Sequence, residues 1–360
     1  VYVPDLERMA RVAGIAARQA ALRHTVNRDK RIAFVLTNSG AKAASVGNAV
    51  GLDAPASLLN LLRAMRGRGY SLPELPAQSD TLIHDLLSRG SYDDAHPLDP
   101  ARAHRYRRTE YLKWYTGLPG TPRRRMADQW GEPREVGPAV RTATPKTDGK
   151  LSGTATLSAS IPEPWGDAGH YHFAALELEN VVVALQPPRG YGMDPDAIYH
   201  QPDLPPTHHY AAFYRWLTSP KQEGGWGADA IVHVGKHGTL EWLPGKAAAL
   251  SDACFPAALI RGLPVVYPFI VNNPGEAAAA KRRLGAVTIG HLTPPLGAGG
   301  AHGEALVLER LIDEYAAADG LDRRRTALLR RDILDRAAAT GLLAESGALG
   351  DDDDTLARLD

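Results

Sequence analysis

Three short apolar runs in the second half of the chain constrain the fold more than any other feature. They are Ala230–Val234, residues 265–271 and residues 286–289, each separated from the next by a segment able to form a helix. Strands buried on both faces read as continuous apolar runs, and strands alternating with helices build a parallel sheet from βαβ units. Arg31-Ile-Ala-Phe-Val-Leu36 is a run of the same kind, preceded by helical periodicity over residues 5–25. A second helix follows it: Asp53 and Pro55 start it, Leu58, Leu59, Leu62 and Met65 form its apolar face, and Gly67 and Gly69 stop it. Residues 172–176 and Val181–Leu185 supply further strands, and Tyr210, Phe213, Tyr214 and Trp216 mark another helix. The expected class is α/β: a parallel-rich sheet of βαβ units flanked by helices, with an additional helical lobe.

That lobe is expected from residues 78–130, which read as helical and charged, with Tyr111, Trp114, Tyr115 and Trp130 packing it. From 135 to 160 large apolar residues are scarce, which suits an exposed loop, a hairpin or a mobile insertion. The chain of 360 residues exceeds the usual size of one hydrophobic core. The expected division is therefore 1–134 (α/β and helical), 135–165 (mobile loop or insertion), 166–300 (α/β core with the site) and 301–360 (helical). A start at Val1 and a stop in the acidic stretch 351–360, which reads as the first turn of a further helix, point to a piece of a longer polypeptide.

Charge and cysteine usage remove several function classes. Lys and Arg number 41 and Asp and Glu 41, with no basic stretch interleaved with aromatics, which argues against nucleic acid or an anionic membrane as the main partner. Cys254 is the single cysteine, so intramolecular disulfides and thiolate metal clusters within the chain are excluded. No apolar run approaches the ~18 residues of a membrane span, and the first residues are charged instead of signal-like. A cytoplasmic protein is the expectation.

The strand Ala230-Ile-Val-His233-Val runs into Gly-Lys236-His237-Gly-Thr-Leu-Glu241-Trp-Leu-Pro-Gly-Lys246. In open parallel sheets functional groups gather outside the carboxyl ends of strands, and here two imidazoles, a carboxylate and two lysines arrive together. Neutral imidazole suits Co²⁺, Ni²⁺ or Zn²⁺, and His or Glu can accept a proton near neutral pH. The spacing is not that of helical zinc proteases, because Glu241 follows both histidines and glycines interrupt the segment. The plain structural alternative is a satisfied strand histidine, solvated lysines and glycines that only turn the chain.

A second segment, Tyr267-Pro-Phe-Ile-Val-Asn272-Asn273-Pro-Gly-Glu276 followed by Lys281-Arg282-Arg283, starts a helix whose free N–H groups favour a carboxylate; by local sequence alone, pure capping with a solvated basic last turn is the better reading. A third, Gln186-Pro-Pro-Arg189-Gly-Tyr191 with His208-His209-Tyr210, offers rigid loops and flat side chains suited to a macrocycle face, or to a core. The loop at 37–53 is a further strand-end loop of unassigned partner. There is no Walker A sequence, since Gly235-Lys236 is followed by His237. No serine elbow is present, and Gly297–Gly303 reads as linker.

Taken in order, these segments resemble the CobN-type cobaltochelatase family, which also includes the porphyrin-binding subunit of magnesium chelatase. The resemblance runs from Arg31-Ile-Ala-Phe-Val and Gly47-Asn-Ala-Val-Gly-Leu-Asp53, through Gln186–Tyr191 and Tyr210–Trp216, to His233–Lys246, Asn272–Glu276, Lys281–Arg283 and His291-Leu-Thr-Pro-Pro295. Lys236 and Trp242 look like the cobalt branch. No family motif falls within 135–160. The resemblance implies ATP-dependent insertion of Co²⁺ into a corrin precursor, hydrogenobyrinic acid a,c-diamide, in cobalamin biosynthesis. It also implies two partner subunits that form an ATPase motor and use ATP and Mg²⁺, neither bound by this chain.

On that footing His233, His237 and Glu241 are expected to ligate the metal and accept protons. Gln186, Arg189, Tyr191, His208, His209, Arg215, Lys236, Asn272, Asn273, Glu276, Lys281, Arg282 and Arg283 are expected to contact the corrinoid. The rival readings are a magnesium chelatase subunit, a noncatalytic tetrapyrrole-binding module and a metal-dependent hydrolase built on the His and Glu cluster.

Overall fold

The computed structural model describes residues 3–38, 46–47, 52–92, 97–133, 165–190, 201, 203–235, 238–268, 274–290, 307–308, 310–312, 314–315 and 323–339. Its strands, in chain order, are β1 (Ile32–Leu36), β2 (His104–Arg107), β3 (His170–Phe173), β4 (Ala175–Leu178), β5 (Val181–Leu185), β6 (Ala230–Val234), β7 (Val265–Tyr267) and β8 (Val287–Thr288). The helices used below are α1 (Leu6–His24), α2 (Ala54–Gly67), α3 (Ser79–Leu87), α4 (Arg108–Thr116), α5 (Gly120–Trp130), α6 (His208–Thr218), α7 (Phe255–Ile260) and α8 (Pro274–Leu284).

Residues Val1–Leu292 form one compact unit. Its main sheet has the order β4-β5-β1-β6-β7-β8. Every pairing in it is parallel except the edge pair β4–β5. β1 has a neighbour on each side and all five of its residues are buried, which is why its sequence is apolar at every position instead of alternating.

Successive β1 side chains leave on opposite faces. Ala33 and Val35 join Val182, Ala184, Ile231 and Val265 in a core shared with α4, α6 and α7. Ile32, Phe34 and Leu36 join Val181, Val183 and Leu185 in a second core with Leu58, Leu59 and Leu62 of α2 and Leu82 and Leu86 of α3. The architecture is thus helix layer, sheet, helix layer, as expected for the α/β class. α6 is the central element of its layer. Thr207 caps it by accepting from the Tyr210 N–H (3.1 Å), and every residue from His208 to Leu217 is buried.

Three expectations change. The charged stretch 78–130 is not wholly helical: residues 104–107 form β2, which pairs antiparallel with β3. Its period-two signal is a single buried Tyr106 between outward-facing arginines, too short to stand out in charged text. Tyr111 and Tyr115 pack no separate lobe, because they share the core of α6 with Tyr171, Phe213 and Trp216. The run 172–176 is split between two sheets, β3 leaving to pair with β2 and β4 staying on β5. In the main sheet β1 lies between β5 and β6, both drawn from beyond residue 135. The expected mobile loop at 135–165 falls almost entirely outside the described residues.

The second unit, Thr293–Asp360, includes the helix Arg323–Ala339, in which Ile333 and Ala337 pack with Leu308, Leu311 and Tyr315.

Asp167 ties the corner before β3. One carboxylate oxygen accepts from the Gly169 and His170 N–H groups (both 2.8 Å), the other from Arg105 (2.7 Å) and the His172 ring (3.0 Å). Burial raises this carboxyl's pKa, but those bonds together outweigh burial and hold it well below its ordinary value. A depressed carboxylate contributes stability above its unfolded pKa and loses it as pH falls through the folded one. Asp167→Asn should therefore destabilise the protein by about 1–2 kcal/mol at pH 7 and by progressively less below about pH 4. Chemical denaturation of both proteins at pH 7 and pH 3 measures this, and an equal loss at both would contradict it.

Candidate functional site at the carboxyl edge of the sheet

The strand order reverses beside β1. The chain leaves β1 for β5 on one side, then crosses back to β6 on the other. The helices that follow β1 and β6 therefore lie on opposite faces, α2 on one and α7 on the other. Such a switch opens a crevice outside the carboxyl ends of the two strands. Leu36 pairs with Val234 there, and the Thr37 N–H donates to the Val234 carbonyl. Gly235 turns the chain at φ 112°, where a Cβ would come within 2.7 Å of the Thr37 hydroxyl, so only glycine fits this crossing.

His233 and Ile231 lie on the face of β6 that meets α6. The imidazole is stacked flat on Tyr267 at the end of β7, ring centres 4.8 Å apart and planes within 3°. Its Nε2 lies 3.4 Å from the Tyr214 hydroxyl of α6. Its Nδ1 has no hydrogen-bond partner among the described residues, although the side chain is only 2% exposed. Burial depresses the imidazole pKa to about 3, so the ring is neutral at physiological pH and retains a lone pair.

Glu241 sits in the short 3₁₀ turn Leu240–Trp242, whose Leu240 anchors in the core while the carboxylate is fully enclosed. Tyr267 donates its hydroxyl hydrogen to Oε2 (2.7 Å), and Oε1 has no partner among the described residues. Burial raises this carboxyl's pKa to about 7, against the lowering influence of the residue's own backbone N–H, the Tyr267 bond and nearby Arg283. The glutamate is thus poised to exchange a proton near neutrality. Tyr267 touches both groups, and Gly238 closes over it, since a Cβ there would lie 2.8 Å from the Tyr267 hydroxyl and 3.1 Å from the His233 ring.

Two further devices hold this arrangement. Gln186, just past β5, donates through its side-chain amide to the hydroxyls of Tyr214 (2.6 Å) and Tyr210 (3.2 Å), and Tyr210 bonds Thr239 (2.8 Å). Arg283 of α8 fastens the 241–246 segment by donating to the carbonyls of Glu241, Leu243 (2.6 Å) and Lys246 (3.3 Å). Gln186, His233 and Glu241 are thus linked to one another through Tyr214 and Tyr267. Arg283 acts on the backbone of the site loop instead of presenting its guanidinium to a ligand.

Other candidates are placed elsewhere. His208 and His209 are buried in the first turn of α6, not on a loop. His208 bonds Tyr111 (2.8 Å) and the Gly131 carbonyl, and His209 bonds the His172 carbonyl (2.8 Å). Arg215 is buried at the far end of the same helix, bonded to Thr218 and Ser219 and lying over Trp114. Glu276 is buried in the first turn of α8, and Lys281 and Arg282 are exposed on its last turn. Arg189 is buried near Tyr210. Tyr191, Lys236, His237, Asn272 and Asn273 lie outside the described residues. Among the described residues no group of three or more His, Cys, Asp or Glu side chains converges on a metal position, and no helix is long and apolar enough to cross a membrane.

Tyr210, Tyr214 and Tyr267 bond the candidate residues through hydroxyls that the sequence reading did not single out. Their signal is their hydroxyl: a buried phenol needs a partner, so tyrosine in place of phenylalanine at a buried position flags a polar neighbour.

A family profile described as CobN/Magnesium Chelatase matches residues 1–360. The chain belongs to the CobN/magnesium chelatase family. It is 43% identical over 334 residues to the aerobic cobaltochelatase subunit CobN of Pseudomonas aeruginosa, covering 92% of this chain and 24% of that protein. To a magnesium-chelatase subunit of Cereibacter sphaeroides it is 33% identical over 336 residues, covering 91% and 24%. The catalytic subunit of cobaltochelatase from Mycobacterium tuberculosis superposes with a TM-score of 0.64 at 39% identity, over 99% of this chain and 28% of that one. The chain thus spans about a quarter of the length of the CobN relatives it matches.

The ionisation of Glu241 is open to direct measurement. A carboxyl whose folded pKa is raised contributes stability that is full below the unfolded value, near 4.5, and is lost as pH rises toward the folded value, near 7. Relative to Glu241→Gln, the unaltered protein should lose about 3 kcal/mol of stability across that window. The difference between the two denaturation curves isolates Glu241 from the opposing titration of His233. Parallel curves would show that the carboxyl titrates normally.

Proposed function

We propose that this chain is the part of a cobaltochelatase large subunit in which Co²⁺ enters a corrin-type macrocycle, at the carboxyl edge between β1, β6 and β7. The observation that carries this is the buried Glu241, with a pKa near 7 and one free oxygen, separated from the neutral, half-bonded His233 only by Tyr267. Metal insertion requires inner N–H protons of the ring to leave as the metal arrives. Glu241 supplies the acceptor, its ionised form taking a ring proton at Oε1. His233 supplies a neutral nitrogen donor of the kind that binds Co²⁺.

Two donors are fewer than a resident metal site requires, which suits a cargo that must be surrendered to the macrocycle. Co²⁺ is here a substrate. ATP and Mg²⁺ fall to two partner subunits, consistent with the missing Walker sequence. The reaction is assigned to the cytoplasm. The greater identity to CobN than to the magnesium-chelatase relative favours cobalt over magnesium.

The test uses the full-length subunit with its two partners and ATP. Glu241→Gln should lower the insertion rate about 100-fold or more while leaving macrocycle affinity within a factor of about two. Tyr267→Phe removes a bond that lowers the Glu241 pKa, so the rising limb of the pH–rate profile, centred near 7 in the unaltered subunit, should move to higher pH. Full insertion activity in Glu241→Gln, or an unmoved limb in Tyr267→Phe, would falsify the assignment of the proton acceptor.

A further inference from the structure

The two ring nitrogens of His233 face different surroundings. Nε2 is turned toward buried α6, where the Tyr214 hydroxyl lies 3.4 Å away. Nδ1 has no partner among the described residues. A Cβ added at Gly238 would come within 3.1 Å of Nδ1, so this edge of the ring lies against the segment that follows β6 at the crevice. The imidazole is neutral, so one nitrogen carries a hydrogen and the other a lone pair. Which nitrogen keeps the lone pair decides which edge of the ring can meet a metal ion.

Tyr214 settles the choice, because its hydroxyl is committed elsewhere. The phenol is fully buried and accepts a hydrogen from the Gln186 amide (2.6 Å). The same amide donates its second hydrogen to the Tyr210 hydroxyl (3.2 Å), which also bonds the Thr239 hydroxyl (2.8 Å). The Tyr210 and Tyr214 hydroxyls interact directly as well. Thr239 is only partly buried, so the run ends where water can reach it.

Two placements of the hydrogens exist. If Tyr214 donated to Nε2, the imidazole hydrogen would sit on Nδ1, an enclosed N–H without an acceptor among the described residues, which folded proteins rarely keep. If Nε2–H donates to Tyr214 instead, the phenol oxygen accepts from His233 and Gln186 and passes its own hydrogen to Tyr210. Tyr210 then passes its hydrogen to Thr239. Every hydrogen in the run has an acceptor, and what stays open is the lone pair on Nδ1. Reversing the Gln186 amide leads to the same end: its carbonyl would take the hydrogens of both phenols, leaving Tyr214 nothing to donate to His233.

Resting on the chelatase reading, we infer that Tyr214, held by Gln186, is a positioning residue that keeps His233 in its Nε2–H tautomer and presents the Nδ1 lone pair to Co²⁺. Gln186 is 4% exposed and both its amide hydrogens are in use, so it acts through the phenol and not on the macrocycle. A bond to the outer nitrogen of a ligating imidazole orients the ring and raises its basicity, and its loss typically lowers metal affinity about 10–100-fold.

The experiment labels histidine with ¹⁵N at Nδ1 alone in the full-length subunit and isolates the His233 signal by solid-state NMR, as the difference from His233→Gln. The signal should fall at the position of a nitrogen bearing a lone pair, well apart from that of an N–H. Tyr214→Phe, which keeps the ring in the core and removes only the hydroxyl, should move it toward the N–H position as the two tautomers mix. Titration with Co²⁺ alone should show affinity lowered roughly tenfold by Tyr214→Phe. The same change made in His233→Gln should alter affinity by less than about twofold. Gln186→Met should shift both readouts in the same direction by less.

General loosening of the core would lower affinity in either background, so only a bond acting through His233 produces this pattern. If Tyr214→Phe does not fold, Gln186→Met decides. An Nδ1 signal at the N–H position in the unaltered subunit, or a signal and Co²⁺ affinity unmoved by either variant, overturns the positioning role while the chelatase reading stands. A lone-pair signal combined with Co²⁺ affinity indifferent to His233→Gln keeps the tautomer and overturns His233 as the metal donor.

Discussion

Because Leu36 pairs with Leu185 on one side and with Val234 on the other, the position of every chemical group at the sheet edge follows from the register of one five-residue strand. A slip of one residue in β1 would carry Phe34 and Leu36 to the face now occupied by Ala33 and Val35, exchanging large for small side chains against the tightly packed α6. It would also unseat the bond from the Thr37 N–H to the Val234 carbonyl and the glycine crossing at Gly235. The apolar strand therefore acts on function indirectly, by fixing the crevice from which His233 and Gln186 are presented.

Around that crevice the protein maintains polarity in an enclosed setting. His233, Glu241, Tyr267, Tyr214, Tyr210 and Gln186 are all buried, yet each is bonded to or stacked on another. In a low-dielectric setting a carboxylate without a cation at contact distance is strongly disfavoured, which lifts Glu241 toward neutrality, while the same burial keeps His233 unprotonated. One environment thus displaces an acid and a base in opposite directions, giving a carboxyl that can take or give a proton beside an imidazole that stays a neutral donor. Tyr267 couples the two. It bonds the acid with its hydroxyl and supports the base with its ring, so the base and the acid cannot move independently.

Much of the fold was legible because it rests on local signals. The apolar runs at Ile32–Leu36 and Ala230–Val234 declare themselves as strands, and Asp53 and Pro55 declare the start of α2, where Asp53 accepts from the Ala56 N–H. What was not legible depends on contacts distant in sequence. β2 is a strand only because β3, more than sixty positions on, supplies its hydrogen-bonding edge. His208 and His209 looked like loop ligands because their loss to the core depends on Tyr111, Gly131 and His172, none of them nearby in the chain. His233 and Glu241 were visible as a cluster of reactive types at a strand end.

The unsatisfied groups bear on why such an edge can exist at all. Each buried polar atom left unpaired costs about 1–3 kcal/mol, and a buried unpaired charge more. His233 Nδ1, Glu241 Oε1, the Asn38 amide and two nitrogens of Arg189 all fall in this class. A protein stable by only about 5–15 kcal/mol can hold several such groups only if the surrounding structure is well over-determined. Here it is: two full cores flank the sheet, α6 is buried along nearly its whole length, and Arg283 fastens the site segment that lacks regular structure by three carbonyls. Buried polar atoms without partners among the described residues are not confined to this edge, since His209 Nδ1, Trp216 Nε1 and Trp226 Nε1 are others; what sets His233 and Glu241 apart is that each also stands against Tyr267. Filling the edge with leucines would stabilise the chain and remove the groups on which the proposed reaction rests.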